Sequence, residues 1–135
     1  MEPRYILDSN VIIGFLAGKL PSSGMETVSA IVDQIPNISV ISQIEVLRFN
    51  GTPENEAILN SFVSSSAIHP LSADVVQRTI ALCKQRKIKL PDAIIAATAL
   101  VENMVLVTRN ISDFKNIADL KLLNPWDMPF NDTQQ

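Results

Sequence analysis

The sequence predicts an α/β fold: a three-layer α/β/α domain around a mostly parallel five-stranded sheet. Three observations predict it. Short apolar runs alternate along the whole chain with segments whose apolar residues recur at helical spacing, the pattern of βαβ units. The runs are continuous rather than alternating, as in Tyr5-Ile6-Leu7, which suits strands covered by helices on both faces. Finally, 135 residues fit one domain that buries roughly two thirds of its unfolded surface without disulfides or metal staples.

The elements follow in order. The first strand, Tyr5 to Leu7, runs straight into Asp8-Ser9-Asn10, after which Val11, Ile12, Phe15 and Leu16 mark a helical stripe. Asp8 stands at the carboxyl end of that strand, but Asp8, Ser9 and Asn10 are all good N-cap residues, so capping and chemistry are both open there. A loop over 18–24 precedes a helix over 26–35, with Val28, Ile31, Val32 and Ile35 on one face before Pro36-Asn37 breaks it. The second strand is predicted over 38–41, leading into a helix over 42–49 whose Ser42 and Glu45 have capping-box spacing. Thr52 caps a helix that has Pro53 at its first position and carries Ile58, Leu59, Phe62 and Val63. A serine-rich link, 64–66, leads to a third strand at 67–69. Ser72 then caps an amphipathic helix with Val76, Ile80 and Cys83 as its buried stripe. Polar residues 87–89 connect to an Ala-rich helix started by Pro91, then come strands over 104–107 and 120–123. The domain is expected to span 1–125, with 126–135 a fraying tail.

Composition narrows the function. Apolar residues make up 47% and charged residues 19%, an ordinary globular balance. No run approaches the roughly 20 apolar residues that span a bilayer, and Met1-Glu2-Pro3-Arg4 lacks the features of a signal peptide, so a cytoplasmic protein without membrane association is expected. Cys83 is the one cysteine, and its place in an apolar stripe predicts a core thiol. His69 is the one histidine; without cysteine companions it argues against a zinc site or a His-based triad. The net charge of −3 discourages a nucleic-acid partner at first sight. If four of the 14 acids are metal ligands, however, the other 10 stand against 11 basic residues. Four of these, Lys84, Arg86, Lys87 and Lys89, precede Asp92, where they also suit a solvated helix end.

Asp8, Glu45, Asp92 and Asp113 are each expected in the first turn of a helix, three of them shortly after a strand and Asp92 after a loop. Singly, each suits a cap or dipole role worth about 0.5 to 2 kcal/mol. Together they form a candidate site, because a parallel sheet sends its strand-to-helix turns to one edge, where open α/β sheets bind ligands. Crowded carboxylates repel, and a cation relieves the repulsion. An all-oxygen set suits Mg²⁺ or Mn²⁺ better than Zn²⁺, and such a centre serves phosphoryl chemistry. Neither GxxxxGK[ST] nor GxGxxG occurs, so phosphodiester hydrolysis is the most natural reaction class.

At these residues the sequence resembles the PIN-domain ribonucleases, particularly VapC-type toxins. The motifs are Asp8-Ser9-Asn10; Ser42 with Glu45; Pro91-Asp92-Ala93 before Ile95-Ala96-Ala97; and Thr108-Arg109-Asn110 with Asp113-Phe114. The likeness covers about residues 4 to 125. It implies an endoribonuclease dependent on Mg²⁺ or Mn²⁺, with Asp8, Glu45, Asp92 and Asp113 as the catalytic, metal-binding quartet. Asn10, Ser42, Thr108 and Asn110 would support it, and Arg109 would contact phosphate or the antitoxin. It also implies an RNA substrate, a VapB-like antitoxin that enters the active-site groove, and a homodimer. Two other functions stand beside it: a phosphatase-like hydrolase with Asp8 as nucleophile, and a PIN-like module that binds RNA or protein without cutting.

Overall fold

In the computed structural model, which describes residues 2–128, five strands stand side by side: β1 (Tyr5–Leu7), β2 (Asn37–Ser39), β3 (Ala67–His69), β4 (Val105–Val107) and β5 (Leu122–Leu123). Their spatial order is β3-β2-β1-β4-β5, and every pairing is parallel. Seven helices accompany them among the described residues: α1 (Ser9–Leu16), α2 (Ser22–Asp33), α3 (Val40–Leu47), α4 (Pro53–Ser64), α5 (Ala73–Gln85), α6 (Leu90–Val101) and α7 (Ile111–Phe114). The three-layer arrangement follows from the period of two along each strand. Ile6, Leu106 and Leu122 are level with one another and face the core formed with Val75 and Leu82 of α5 and the inner side of α6. Leu7, Val107 and Leu123, one residue on, face the opposite core, with Val11 and Ile12 of α1, Val28 of α2, Val46 of α3 and Leu59 of α4. β1, β4 and β5 therefore carry apolar residues at every position, the origin of those unbroken runs in the sequence, whereas β2 is apolar only at Ile38 and β3 only at Ala67 and Ile68.

Four details differ from the sequence expectations. The second strand ends at Ser39, and α3 begins at Val40, because the Ser39 hydroxyl accepts from the Ile41 and Ser42 amides at 3.1 and 3.2 Å. Ser42 is therefore no cap, and Glu45 sits in the second turn rather than the first. In α5 the buried face is Val75, Thr79 and Leu82, one position away from the predicted stripe, while Ile80 and Cys83 are exposed. The buried stripe includes a threonine, whose hydroxyl is satisfied by donating to the Val75 carbonyl at 2.7 Å, and it brings the bulkier Leu82 into the core shared with α6. Finally, α2 starts at Ser22, so Gly24 lies inside a helix rather than in the loop.

Gly24 is accounted for by the segment after β5. A Cβ there would stand 1.8 Å from the Pro125 carbonyl oxygen, and one at Gly14 would stand 2.7 Å from the Trp126 ring. Trp126 thus packs on the domain, against the core on the α1 side, although the sequence assigned it to the tail; residues 129–135 of that tail lie outside the described residues. A backbone oxygen is harder to displace than a flexible side chain. Gly24→Ala is therefore expected to cost about 1 to 3 kcal/mol by overpacking. Urea unfolding followed by the emission of Trp126, the single tryptophan, checks this; an unchanged midpoint would show that the 124–126 segment does not press on α2.

Candidate active site

The strand order changes direction between β1 and β4: β2 and β3 build outward on one side of β1, β4 and β5 on the other. Loops leaving adjacent strands part at such a point and open a crevice at the carboxyl ends. Asp8 follows β1 there and Thr108 follows β4. The Asp8 amide extends the ladder by donating to the Val107 carbonyl at 2.9 Å. Its side chain is only 6% exposed, and both carboxylate oxygens have partners. Oδ1 accepts from the Ser9 amide at 2.8 Å, and Oδ2 accepts from the Thr108 hydroxyl at 2.8 Å and from Asn10 Nδ2 at 3.4 Å. Thr108, fully buried, accepts in turn from the Asn110 amide at 3.1 Å, and Asn10 Oδ1 accepts from the Arg109 amide at 3.2 Å.

The other acids gather around this one. The Ser9 hydroxyl donates to Glu45 Oε1 at 2.5 Å, tying α1 to α3. Asp92 is the third residue of α6, behind Pro91, and is half-buried. Asp113 is the third residue of α7 and is exposed. Burial pushes the Asp8 carboxyl above its usual range; the Thr108 and Ser9 hydrogen bonds oppose the shift, while the charges of Glu45 and Asp92 reinforce it. Asp92 is raised by burial first and then by Asp113, with Lys89 opposing and Glu45 adding. Asp8 thus feels the charges of Glu45 and Asp92, and Asp92 those of Asp113 and Glu45, a linkage that their spacing along the chain does not reveal. A cleft of about 480 Å³ runs past Asp92 and Asp113, flanked by Lys87 and Lys89.

The supporting residues divide. Asn10 and Thr108 hold Asp8 directly. Asn110 contributes its backbone amide, while its side chain makes no cap bond. Arg109 lays its guanidinium over the Trp126 ring, 4.7 Å from the centroid, a cation–π contact that holds it on the 124–126 segment. Ser42 is buried, with a hydroxyl that has no hydrogen-bond partner. Ser9 had no place among the sequence candidates beyond its suitability as a cap, yet it binds Glu45. The signal was its position between Asp8 and Asn10 on the first turn of α1.

No three acid, histidine or cysteine side chains among the described residues stand close enough to enclose an ion, so the quartet is an open constellation. Its chemistry nevertheless fits a hard divalent cation: all donors are carboxylates, and their mutual repulsion is what such a charge relieves.

A family model of the PIN domain matches residues 5–120. This chain belongs to the PIN domain family. Solved structures agree with that placement. The chain resembles one in a "Toxin-antitoxin complex from Klebsiella pneumoniae", with 28% identity and a TM-score of 0.75 over 92% of this chain and 99% of that one. It is also similar to a chain of VapBC2 from Rickettsia felis, a structure bound to a promoter DNA fragment, at 29% identity and a TM-score of 0.73, covering 91% and 98%. A third, of VapBC-1 from nontypeable Haemophilus influenzae, gives 25% identity and a TM-score of 0.72 over 89% and 96%. No curated protein matches the chain.

Within this PIN domain, the raised Asp92 carboxyl has a consequence for stability. A carboxyl whose folded value lies above its unfolded 3.8 binds protons more readily folded than unfolded, so its ionised form opposes folding at neutral pH, and this destabilisation is relieved as pH falls through the folded value toward 3.8. Asp92→Asn in EDTA should therefore melt at or above wild type at pH 7, with the gap closing as pH approaches 4. Thermal melts at the two pH values check this. A mutant lower at both by the worth of a helix-start charge, about 0.3 to 1 kcal/mol, would make Asp92 only a dipole carboxylate.

Proposed function

We propose that this PIN domain is a metal-dependent endoribonuclease, the toxin of a type II toxin–antitoxin pair, acting in the cytoplasm. The observation that carries the proposal is the buried Asp8 carboxylate, pinned at the β1–β4 crevice and sharing its field with Glu45 and Asp92. Asp8, Glu45, Asp92 and Asp113 would hold Mg²⁺ or Mn²⁺. Such an ion, when bound, supplies a water of lowered pKa and neutralises charge on the leaving oxygen. The chain's own part is positioning: Thr108 and the Ser9 amide orient Asp8, and Ser9 holds Glu45. Lys87 and Lys89 rim the cleft beside Asp92 and Asp113, where they would meet the phosphates of an RNA strand.

The alternatives fare worse. A covalent phosphatase wants an exposed nucleophile and a proton donor two residues on, whereas Asp8 is buried and Asn10 only donates an amide hydrogen bond to it. A module that binds without cutting has no use for carboxyls such as Asp8 and Asp92, whose values burial raises and neighbouring acids raise further.

The structures similar to this chain are named as toxin–antitoxin and VapBC assemblies, so we assign it a VapB-like antitoxin. A shallow apolar cleft between α1 and α4, lined by Ile13, Leu16, Phe49 and Ile58, is suited to an apolar antitoxin segment. The homodimer belongs to the same proposal. Of the apolar stripes over 28–35 and 58–63, Val28, Leu59, Phe62 and Val63 are in the core, leaving Ile35 and Ile58 exposed for such a contact.

Purified protein incubated with total cellular RNA is expected to cut in Mg²⁺ or Mn²⁺, to stop in EDTA, and to lose at least two orders of magnitude in rate as Asp8→Asn, since metal-assisted water activation is worth several kcal/mol. Cutting that persists in EDTA, or in Asp8→Asn, would overturn the assignment. Light scattering across micromolar concentrations should give the mass of a dimer; a monomer throughout would remove the dimer from the proposal.

A further inference from the structure

Arg86 ends α5, with extended backbone (φ −154°, ψ 162°), at the start of the link that leads to Asp92. Its guanidinium reaches across to the chain beyond α7: Nη1 donates to the Lys115 carbonyl at 3.1 Å and Nη2 to the Asn116 carbonyl at 2.9 Å. These are carbonyls at the carboxyl end of the helix that carries Asp113, where helices leave acceptors unsatisfied. That helix has few other restraints. It is four residues long, and Asn110 gives it no side-chain cap. Phe114 roots it in the core and Asn116 turns it in the left-handed region at φ 71°, but Asp113 lies on the exposed side. Asp92 and Asp113 repel each other, so the exposed side of α7 that carries Asp113 is under a force directed away from Asp92, while Phe114 and Ile117 anchor its other side in the core.

We propose that Arg86 is a positioning residue for the active site: its two-pronged grip on Lys115 and Asn116 fixes where α7 presents the Asp113 carboxylate relative to Asp92. The planar fork matters, because two donors set at a fixed spacing hold two carbonyls at once and a lysine ammonium does not reproduce that geometry. The role of Asp113 rests on the metal-centre proposal, while the grip itself does not.

The test therefore has two arms. In metal-free protein, amide hydrogen exchange is followed at Asp113 and Lys115, whose N–H groups donate to the Asn110 and Ile111 carbonyls. Exchange there should speed up in both Arg86→Ala and Arg86→Lys while the amides of β1 and β4 keep wild-type rates; unchanged rates at both positions would overturn the grip. In the second arm, Mn²⁺ alone is titrated calorimetrically into wild type, Arg86→Ala, Arg86→Lys, Asp113→Asn and the two double variants. Arg86 holds the backbone two and three residues beyond Asp113 rather than Asp113 itself; loosening a metal ligand's support weakens affinity about tenfold, and a loss of that order is expected for Arg86→Ala and Arg86→Lys. In the Asp113→Asn background, Arg86→Ala should add nothing, since coupled residues are not additive. A full additional loss there, or unchanged affinity in Arg86→Ala, would overturn the positioning role. Should Arg86→Ala fail to fold, Arg86→Lys carries both arms. Wild type that binds no Mn²⁺ would defeat the metal centre and with it the role of Asp113, whereas the exchange arm would still judge the grip.

Discussion

The hydrogen bond from Thr108 to Asp8, 2.8 Å long across the ends of β4 and β1, is the contact on which the arrangement of the site depends. A carboxylate this buried is costly unless its oxygens are satisfied. The partners come from separate parts of the chain: the Ser9 amide from the start of α1, the Thr108 hydroxyl from the end of β4, and Asn10 from one turn of helix. The pairing of Leu7 with Val107 brings residues 8 and 108 level. A slip of one residue in that register would exchange the two core faces and move Thr108 off Asp8 together. Packing and site geometry are thus specified by the same ladder.

Capping and chemistry turn out to be compatible uses of one residue. Asp8 is the N-cap of α1 and accepts from its first amide, yet its second oxygen belongs to the crevice. The helix start supplies donors that tolerate a buried negative charge, and a helix start at a parallel sheet edge is where a ligand arrives. Glu45 shows a different solution. Set one turn further along α3, it is held through Ser9 rather than by a helix terminus.

The charge distribution follows the same division. Acids converge on the crevice, and lysines stand on the link ahead of Asp92, where Lys89 partly offsets the burial and repulsion felt by that carboxyl. A net charge of −3 therefore says little about the local field beside the cleft. Burial of Asp8 and Asp92 beside other acids opposes their ionised forms, a local conflict of the kind found at functional sites.

The sequence by itself determined the fold class and the order of all five strands along the chain, because both rest on local patterns: short apolar runs and cap residues such as Thr52 and Ser72. It placed β1 and β3 with their observed limits. What it left undecided depends on neighbours distant in the chain. The local pattern pointed to Ser42 as a cap and to Val76, Ile80 and Cys83 as a buried stripe, whereas the folded chain caps α3 with Ser39 and buries Val75, Thr79 and Leu82 against the core shared with α6. The Ser9 link to Glu45 spans 36 residues and that of Thr108 to Asp8 spans 100. Such contacts have no period to detect along the chain. They arise only once parallel strands bring every strand-to-helix turn to one edge, so the crevice and its shared field are properties of the tertiary structure.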